Sequence, residues 1–182
     1  MDGTLNLVVE IPKWSRAKLE CATKEPLNPI KHDIKKKKLR NYEWGDLSWN
    51  YGFFPQTWEN PEIKDIFTGY MGDGDPVDVV EIGQRCWPVG SVVRTKVLGA
   101  FALVDEGETD WKIIAISVVD PMAHQINDVD DIEVGHIRFF PSVTQVQCCK
   151  SSCSYRCICQ DVCLRFAGGS DYISCQILMN SH

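Results

Sequence analysis

No apolar run in the 182-residue chain is long enough to cross a bilayer, and one of the most continuous, Ile113 to Val119, falls far short of a spanning helix. Positive charge is also scarce, with 19 Lys and Arg against 25 Asp and Glu and a formal net charge of −6. That balance argues against a general nucleic-acid or membrane-surface binder, so neither nucleic acid nor membrane is expected as a partner. Lys35 to Lys38 form the one strong basic run, and its plainest reading is a solvated turn before a strand. Met1-Asp2-Gly3 does not open a signal peptide. The expectation is a soluble cytoplasmic protein, with a mitochondrial form as the alternative.

Cysteine is nearly missing from most of the chain. Only Cys21 and Cys86 precede residue 148, whereas Cys148, Cys149, Cys153, Cys157, Cys159, Cys163 and Cys175 crowd the end. Their irregular gaps lack the paired spacing of a zinc site, and a disulfide framework would need an oxidising compartment. The chain therefore divides into a domain over residues 1–141 and a divergent Cys-rich tail over 142–182. The tail reads as disordered or non-native, of the kind that alternative splicing, a frameshift or a gene-model error leaves behind.

What the chain has in excess is clustered carboxylate. Asp73-Gly-Asp75-Pro-Val-Asp78 packs its acids tightly, and Asp105-Glu-Gly-Glu-Thr-Asp110 follows. Acids at that density repel unless cations lie between them, and hard divalent ions suit oxygen-only ligands shared with substrate phosphates. An EF-hand is excluded, because its closing Glu position holds Gln84 and its mid-loop Gly position holds Asp78. The D-x-D-x-V pattern of aspartyl-phosphate phosphatases fits Asp73 to Val77, but the stretch before it is a glycine-broken loop rather than a buried strand. That reading stays as a minor alternative.

Hydrophobic patterning favours strands. Asn6 to Ile11, Trp14 to Glu20, Lys35 to Tyr42, Val77 to Ile82, Ser91 to Asp105 and Asp110 to Asp120 are the candidates, with Ile63 to Asp75 as loop and little helix before Asn127. A small antiparallel barrel fits this order better than a doubly wound sheet. A hairpin over Lys96 to Asp120 with loop Glu106 to Thr109 would set Asp105 opposite Asp110, and Lys112 on the same face would help neutralise them. An exposed acidic hairpin tip is the competing reading of that cluster.

The Asp73–Asp78 segment followed by Val-Val-Glu-Ile-Gly83 resembles the signature of soluble family I inorganic pyrophosphatases of the eukaryotic type. Val8-Val-Glu-Ile-Pro-Lys-Trp14 with Ala17-Lys-Leu-Glu20, Lys38-Leu-Arg40, Asn50-Tyr-Gly-Phe-Phe-Pro-Gln-Thr-Trp-Glu59 and Asp105–Lys112 agree with it in order and spacing. The resemblance runs from about Asp2 to Pro141. It implies a mainly β (α+β) fold, a five-stranded OB-like closed barrel with flanking helices. The barrel is expected to be incomplete here, because family members carry further strands ahead of this chain's start.

The resemblance also implies the roles. Mg²⁺ would be held by Asp73, Asp78 and Asp110, with Asp105 and Glu20 serving further ions and Glu10 supporting the network. Asp75 would be the general base toward the attacking water, and Lys18, Arg40, Tyr51 and Lys112 would grip the substrate. The implied reaction is hydrolysis of inorganic diphosphate to two phosphates, and the implied assembly a homodimer. Gly45-Asp46-Leu47 lacks a family tyrosine, and the tail offers no counterpart to a phosphate-clamping Tyr-Lys pair. A second function class follows from those departures: a non-catalytic fragment that is unstable or associates with a full-length homologue.

Overall fold

The longest apolar stretches become strands, and the glycine-broken stretch between residues 63 and 75 becomes loop. A computed structural model of the chain describes residues 3–43, 45–132 and 147–150. In order the strands are β1 (Thr4–Ile11), β2 (Leu19–Cys21), β3 (Ile30–His32), β4 (Ile34–Lys35), β5 (Lys38–Leu39), β6 (Asn50–Phe53), β7 (Asp78–Glu81), β8 (Val92–Asp105), β9 (Glu108–Ser117) and β10 (Gln147–Lys150). Of the expected flanking helices, the described residues contain only a 3₁₀ turn at Val129–Asp131. Among the described residues no helix is long and apolar enough to cross a membrane.

Five strands close into a ring. β1, β6, β7, β9 and β8 pair in that order, and β1 returns to β8 through Thr4 opposite Lys96 and Val8 opposite Val92. All of these pairings are antiparallel except β7 with β9, which is parallel and sets Asp78 beside Lys112. β8 serves two partners on one edge, because β1 takes its first half and β10 pairs from Ala102 back to Gly99. β10 lies within the 142–182 segment read as tail, and the rest of that segment lies outside the described residues.

Side-chain alternation builds the core. Leu7 and Val9, Val77 and Val79, and Trp111, Ile113 and Ala115 follow the period of two and meet in one buried cluster. On β8 the phase changes: Val93 and Val97 join this cluster from odd positions, Ala100 and Ala102 from even ones. A bulge between Val97 and Gly99 makes the switch, since one extra residue turns every later side chain to the other face. Leu98, Phe101, Ile114 and Ile116 are left to a second cluster, which Ala123, Ile126 and Ile132 cover.

Three local expectations fail, each at a turn. Trp14 to Glu20 is not one strand, because Trp14 adopts φ 65° in a turn closed by Ser15 N–H on Pro12 O, and only Leu19–Cys21 is extended. Lys35 to Tyr42 breaks into β4 and β5 around Lys36 and Lys37 at φ 54° and 62°, so the basic run is a hairpin tip. Asp105 lies opposite Glu108, and Asp110 opposite Leu103. The β8–β9 turn is only Glu106-Gly107, both at positive φ (49° and 92°), which fits the right-handed strand twist that longer loops match less well.

Ring closure makes one glycine indispensable. A Cβ on Gly52 would lie 1.9 Å from the carbonyl oxygen of Val8 on the paired strand. Gly52→Ala should therefore destabilise the protein by about 3 kcal/mol or more, while Gly107→Ala, in open space but at positive φ, should cost about 1 kcal/mol. Equal melting shifts for the two variants in a thermal unfolding experiment would contradict this account.

Candidate active site

A loop and two strands carry the acids. Gly74 turns the 73–78 loop at φ 82°, and the loop is strapped from outside: Glu59 N–H donates to Asp75 O and Gly74 N–H to Glu59 O, both at 2.9 Å. Trp58 Nε1 donates to Gly74 O at 3.0 Å. With its backbone tied on that side, the loop directs its carboxylates into a cleft of about 750 Å³. Asp75 N–H caps Asp73 Oδ1 at 2.8 Å, while the Asp75 carboxylate has no hydrogen-bond or ion-pair partner among the described residues. β9 delivers Asp110 and Lys112 to the same cleft, and Lys112 Nζ is bonded to both Asp78 Oδ2 and Asp110 Oδ1. Tyr51, on β6, donates its hydroxyl to Asp78 Oδ2 at 2.5 Å, with Lys112 Nζ 5.7 Å over its ring.

The opposite wall is cationic and rests on Asp33. Arg40 Nη1 lies 2.5 Å and Lys18 Nζ 3.4 Å from Asp33 Oδ2, and Lys18 also approaches Glu20 at 3.6 Å. Backbone bonds fix the three in place: Asp33 N–H to Lys18 O, Arg40 N–H to Asp33 O, and Lys18 N–H to Arg40 O. Glu10, at the end of β1, accepts from Cys21 N–H at 2.6 Å.

Electrostatics records the crowding. Burial first, then Asp78, pushes the Glu10 carboxyl up to about 8. Burial also raises Asp110 to about 6; the ammonium of Lys112 opposes it and Asp78 adds to it. Asp73 is raised by burial and by Asp75 and Asp78, against the pull of the Asp75 N–H. Lys112 is buried too, which disfavours its charge, yet Asp78 and Asp110 outweigh that and hold it above its ordinary value. At Asp33 the balance is reversed, since burial is outweighed by Arg40 and Lys18 and the carboxyl falls below its usual range.

These acids fit a metal. The inward-facing donors are carboxylate oxygens in an open cleft, which is the chemistry of a hard divalent cation that keeps part of its hydration shell. No three of them stand together as a ready-made cage among the described residues, as expected of like charges with only Lys112 as an internal counter-ion.

Every site residue singled out from the sequence lines this one cleft, including Asp105, whose pairing with Glu108 rather than Asp110 still leaves it at the rim. Several participants have no counterpart in that reading. Asp33 has no motif to announce it, and Tyr42 lines the cleft beside Tyr51. Burial first, then Asp78, raises the Tyr42 phenol to about 12, so it remains a hydroxyl donor at neutral pH. Glu59 closes the quoted Asn50–Glu59 segment, but its burial is invisible in sequence. Its Oε1 accepts from Trp111 N–H at 3.0 Å, its Oε2 is buried without a partner, and burial reinforced by Asp73 pushes it up to about 9.

A family model described as inorganic pyrophosphatase matches residues 7–155, running past Pro141. An inorganic pyrophosphatase of Bos taurus is 54% identical over 132 residues, 70% of this chain and 46% of that protein. A soluble inorganic pyrophosphatase 6, chloroplastic, of Arabidopsis thaliana is 54% identical over 72% of this chain and 44% of its own length. Among solved structures, the inorganic pyrophosphatase of Schistosoma japonicum superimposes with TM-score 0.71 at 49% identity, covering 77% of this chain and 50% of that one. An N-terminally truncated vacuolar soluble pyrophosphatase of Trypanosoma cruzi, in complex with PPi, gives 0.70 at 46% identity, covering 78% and 52%. The chain thus spans about half the length of the curated relatives it matches.

Glu59 sets a pH dependence. An acid whose folded value exceeds its unfolded value supports the fold fully below the unfolded value and loses that support as pH rises through the folded one. In metal-free buffer the melting temperature should fall as pH rises from about 4.5 to about 9, and Glu59→Gln should flatten that fall. A gap between wild type and variant that stays constant across this window would refute the assignment.

Proposed function

Because the chain belongs to the inorganic pyrophosphatase family, we propose that it hydrolyses inorganic diphosphate to two phosphates with Mg²⁺ as cofactor. The observation that carries this reading is the meeting of two carboxylate-bearing elements with a cationic wall in one cleft. Asp73, Asp78 and Asp110 would hold the principal ion, and Asp105 and Glu20 would serve further ones. When bound, Mg²⁺ neutralises the phosphate charges and acidifies water.

The chain's own residues supply orientation and the proton acceptor. Asp75 is the general base: its backbone is held by Glu59 and Asp73 while its carboxylate stays uncommitted, so it can receive the proton of the attacking water. As water attacks one phosphorus in line, the bond to the bridging oxygen breaks and the second phosphate leaves. Arg40 offers a planar fork for two phosphate oxygens, whereas Lys18 and Lys112 act as point charges. Lys112, bonded here to Asp78 and Asp110, would turn to phosphate if a cation took those carboxylates. Tyr51 holds Asp78 in register, and Glu10 anchors β2 through Cys21.

Phosphate release from diphosphate in Mg²⁺ tests this. Asp75→Asn should lower kcat by about 100-fold or more, the usual range for losing a positioned base, with the fold intact by circular dichroism. Asp78→Asn should in addition abolish the rise in melting temperature that Mg²⁺ gives the wild type. A folded, Mg²⁺-stabilised wild type with no phosphate release would overturn the proposal.

A further inference from the structure

We propose that Lys35 is a substrate-capturing residue, held at the mouth of the cleft by Glu106 and transferred from Glu106 to an incoming diphosphate. The inference rests on the diphosphate reading above. Two hairpins meet over the cleft: β4–β5 carries Lys35 beside its turn, and β8–β9 carries Glu106 within its own. Lys35 Nζ lies 3.1 Å from Glu106 Oε1, and both residues line the cleft.

The pair is built to exchange. Both side chains are largely exposed, 57% and 77%, and exposed ion pairs are weak because water and salt compete for each partner. Arg40, by contrast, is bound to the mostly buried Asp33, and Lys112 is enclosed between Asp78 and Asp110. Lys35 therefore changes partner more readily than either. A phosphate oxygen of a multiply charged anion is a stronger acceptor for an ammonium than a single exposed carboxylate, so diphosphate displaces Glu106.

The hairpin concentrates charge where that anion enters. Its register sets Lys35 directly opposite Lys38, an arrangement in which like charges repel, and Lys36 and Lys37 occupy the turn in left-handed conformations. Lys36, Lys37 and Lys38 have no carboxylate partner among the described residues. Core packing explains none of this, since β4 and β5 are exposed along their length. A positive tip beside an acidic cleft raises the local concentration of anions and speeds their capture.

The test compares wild type, Lys35→Ala, Lys35→Arg and Glu106→Ala. It measures steady-state diphosphate hydrolysis in Mg²⁺ over a range of NaCl, and calorimetric binding of non-hydrolysable imidodiphosphate. Lys35→Ala should lower kcat/KM about 5-fold at low salt, weaken imidodiphosphate similarly and flatten the salt dependence, with kcat within about twofold of wild type. Lys35→Arg should restore most of the loss, and Glu106→Ala should leave kcat/KM equal to or above wild type. An active wild type with an unchanged Lys35→Ala would overturn this inference alone. So would a Glu106→Ala variant that loses as much as Lys35→Ala, since the pair would then be a brace between hairpins. A wild type that neither hydrolyses diphosphate nor binds imidodiphosphate would overturn the underlying function and this inference with it.

Discussion

The parallel pairing of β7 with β9 is the constraint on which both ring and cleft depend. It sets Asp78 beside Lys112, and through that contact the 73–78 loop meets Asp110, although 34 residues separate Asp78 from Lys112. Side chains alternate with a period of two, so a slip of one residue would turn Asp78 away and send Val79, which is fully buried, toward solvent. The hydrophobic alternation that closes the ring is thus the same alternation that brings the carboxylates together. Lys112 then holds them together as an internal cation, bonded to both Asp78 and Asp110.

Behind the cleft the ring is fastened by polar groups that need no metal. Glu81 is fully buried, and its carboxylate accepts from Asn50 Nδ2, Gly83 N–H and Ser117 N–H, linking β6, β7 and β9 at one point. Burial raises Glu81 above the ordinary carboxylate range despite those donors, which identifies the group as costly to bury and its partners as obligatory. Asn50 also accepts from Lys13 N–H and Trp87 N–H, so one side chain organises the end of β1 and the 84–87 turn. A rigid frame of this kind leaves the cleft mouth to two tight hairpin turns, where left-handed Lys36, Lys37 and Glu106 store backbone strain at the site rather than in the core.

Much of this was legible in the chain itself. Asp73, Asp75, Asp78 and Asp110 stand out by density, and the strongly β-branched runs that become β7, β8 and β9 stand out by pattern. Turns were the hardest to read. Glu106-Gly107 and Lys36-Lys37 are two-residue turns without the Asn-Gly or Asp-Gly signal, and Trp14 takes a left-handed conformation for which its side chain gives no warning. Strands of a few residues, such as Leu19–Cys21, Ile30–His32 and Asn50–Phe53, carry too little periodicity to be seen before their partners are known.

Composition, spacing and alternation by themselves determined the donor set: an acidic, oxygen-rich cluster of the kind that suits a hard cation, carried on a β framework. Tertiary structure alone decided which residues face one another. Asp33 enters the site because β2 and β3 pair and hold it between Lys18 and Arg40, and Glu59 because β9 passes over it and buries it. The basic run became part of the cleft mouth because a hairpin turned it toward Glu106. Residue type is a local property that sequence states outright, whereas proximity between distant residues is set by strand register, which emerges only when the ring closes.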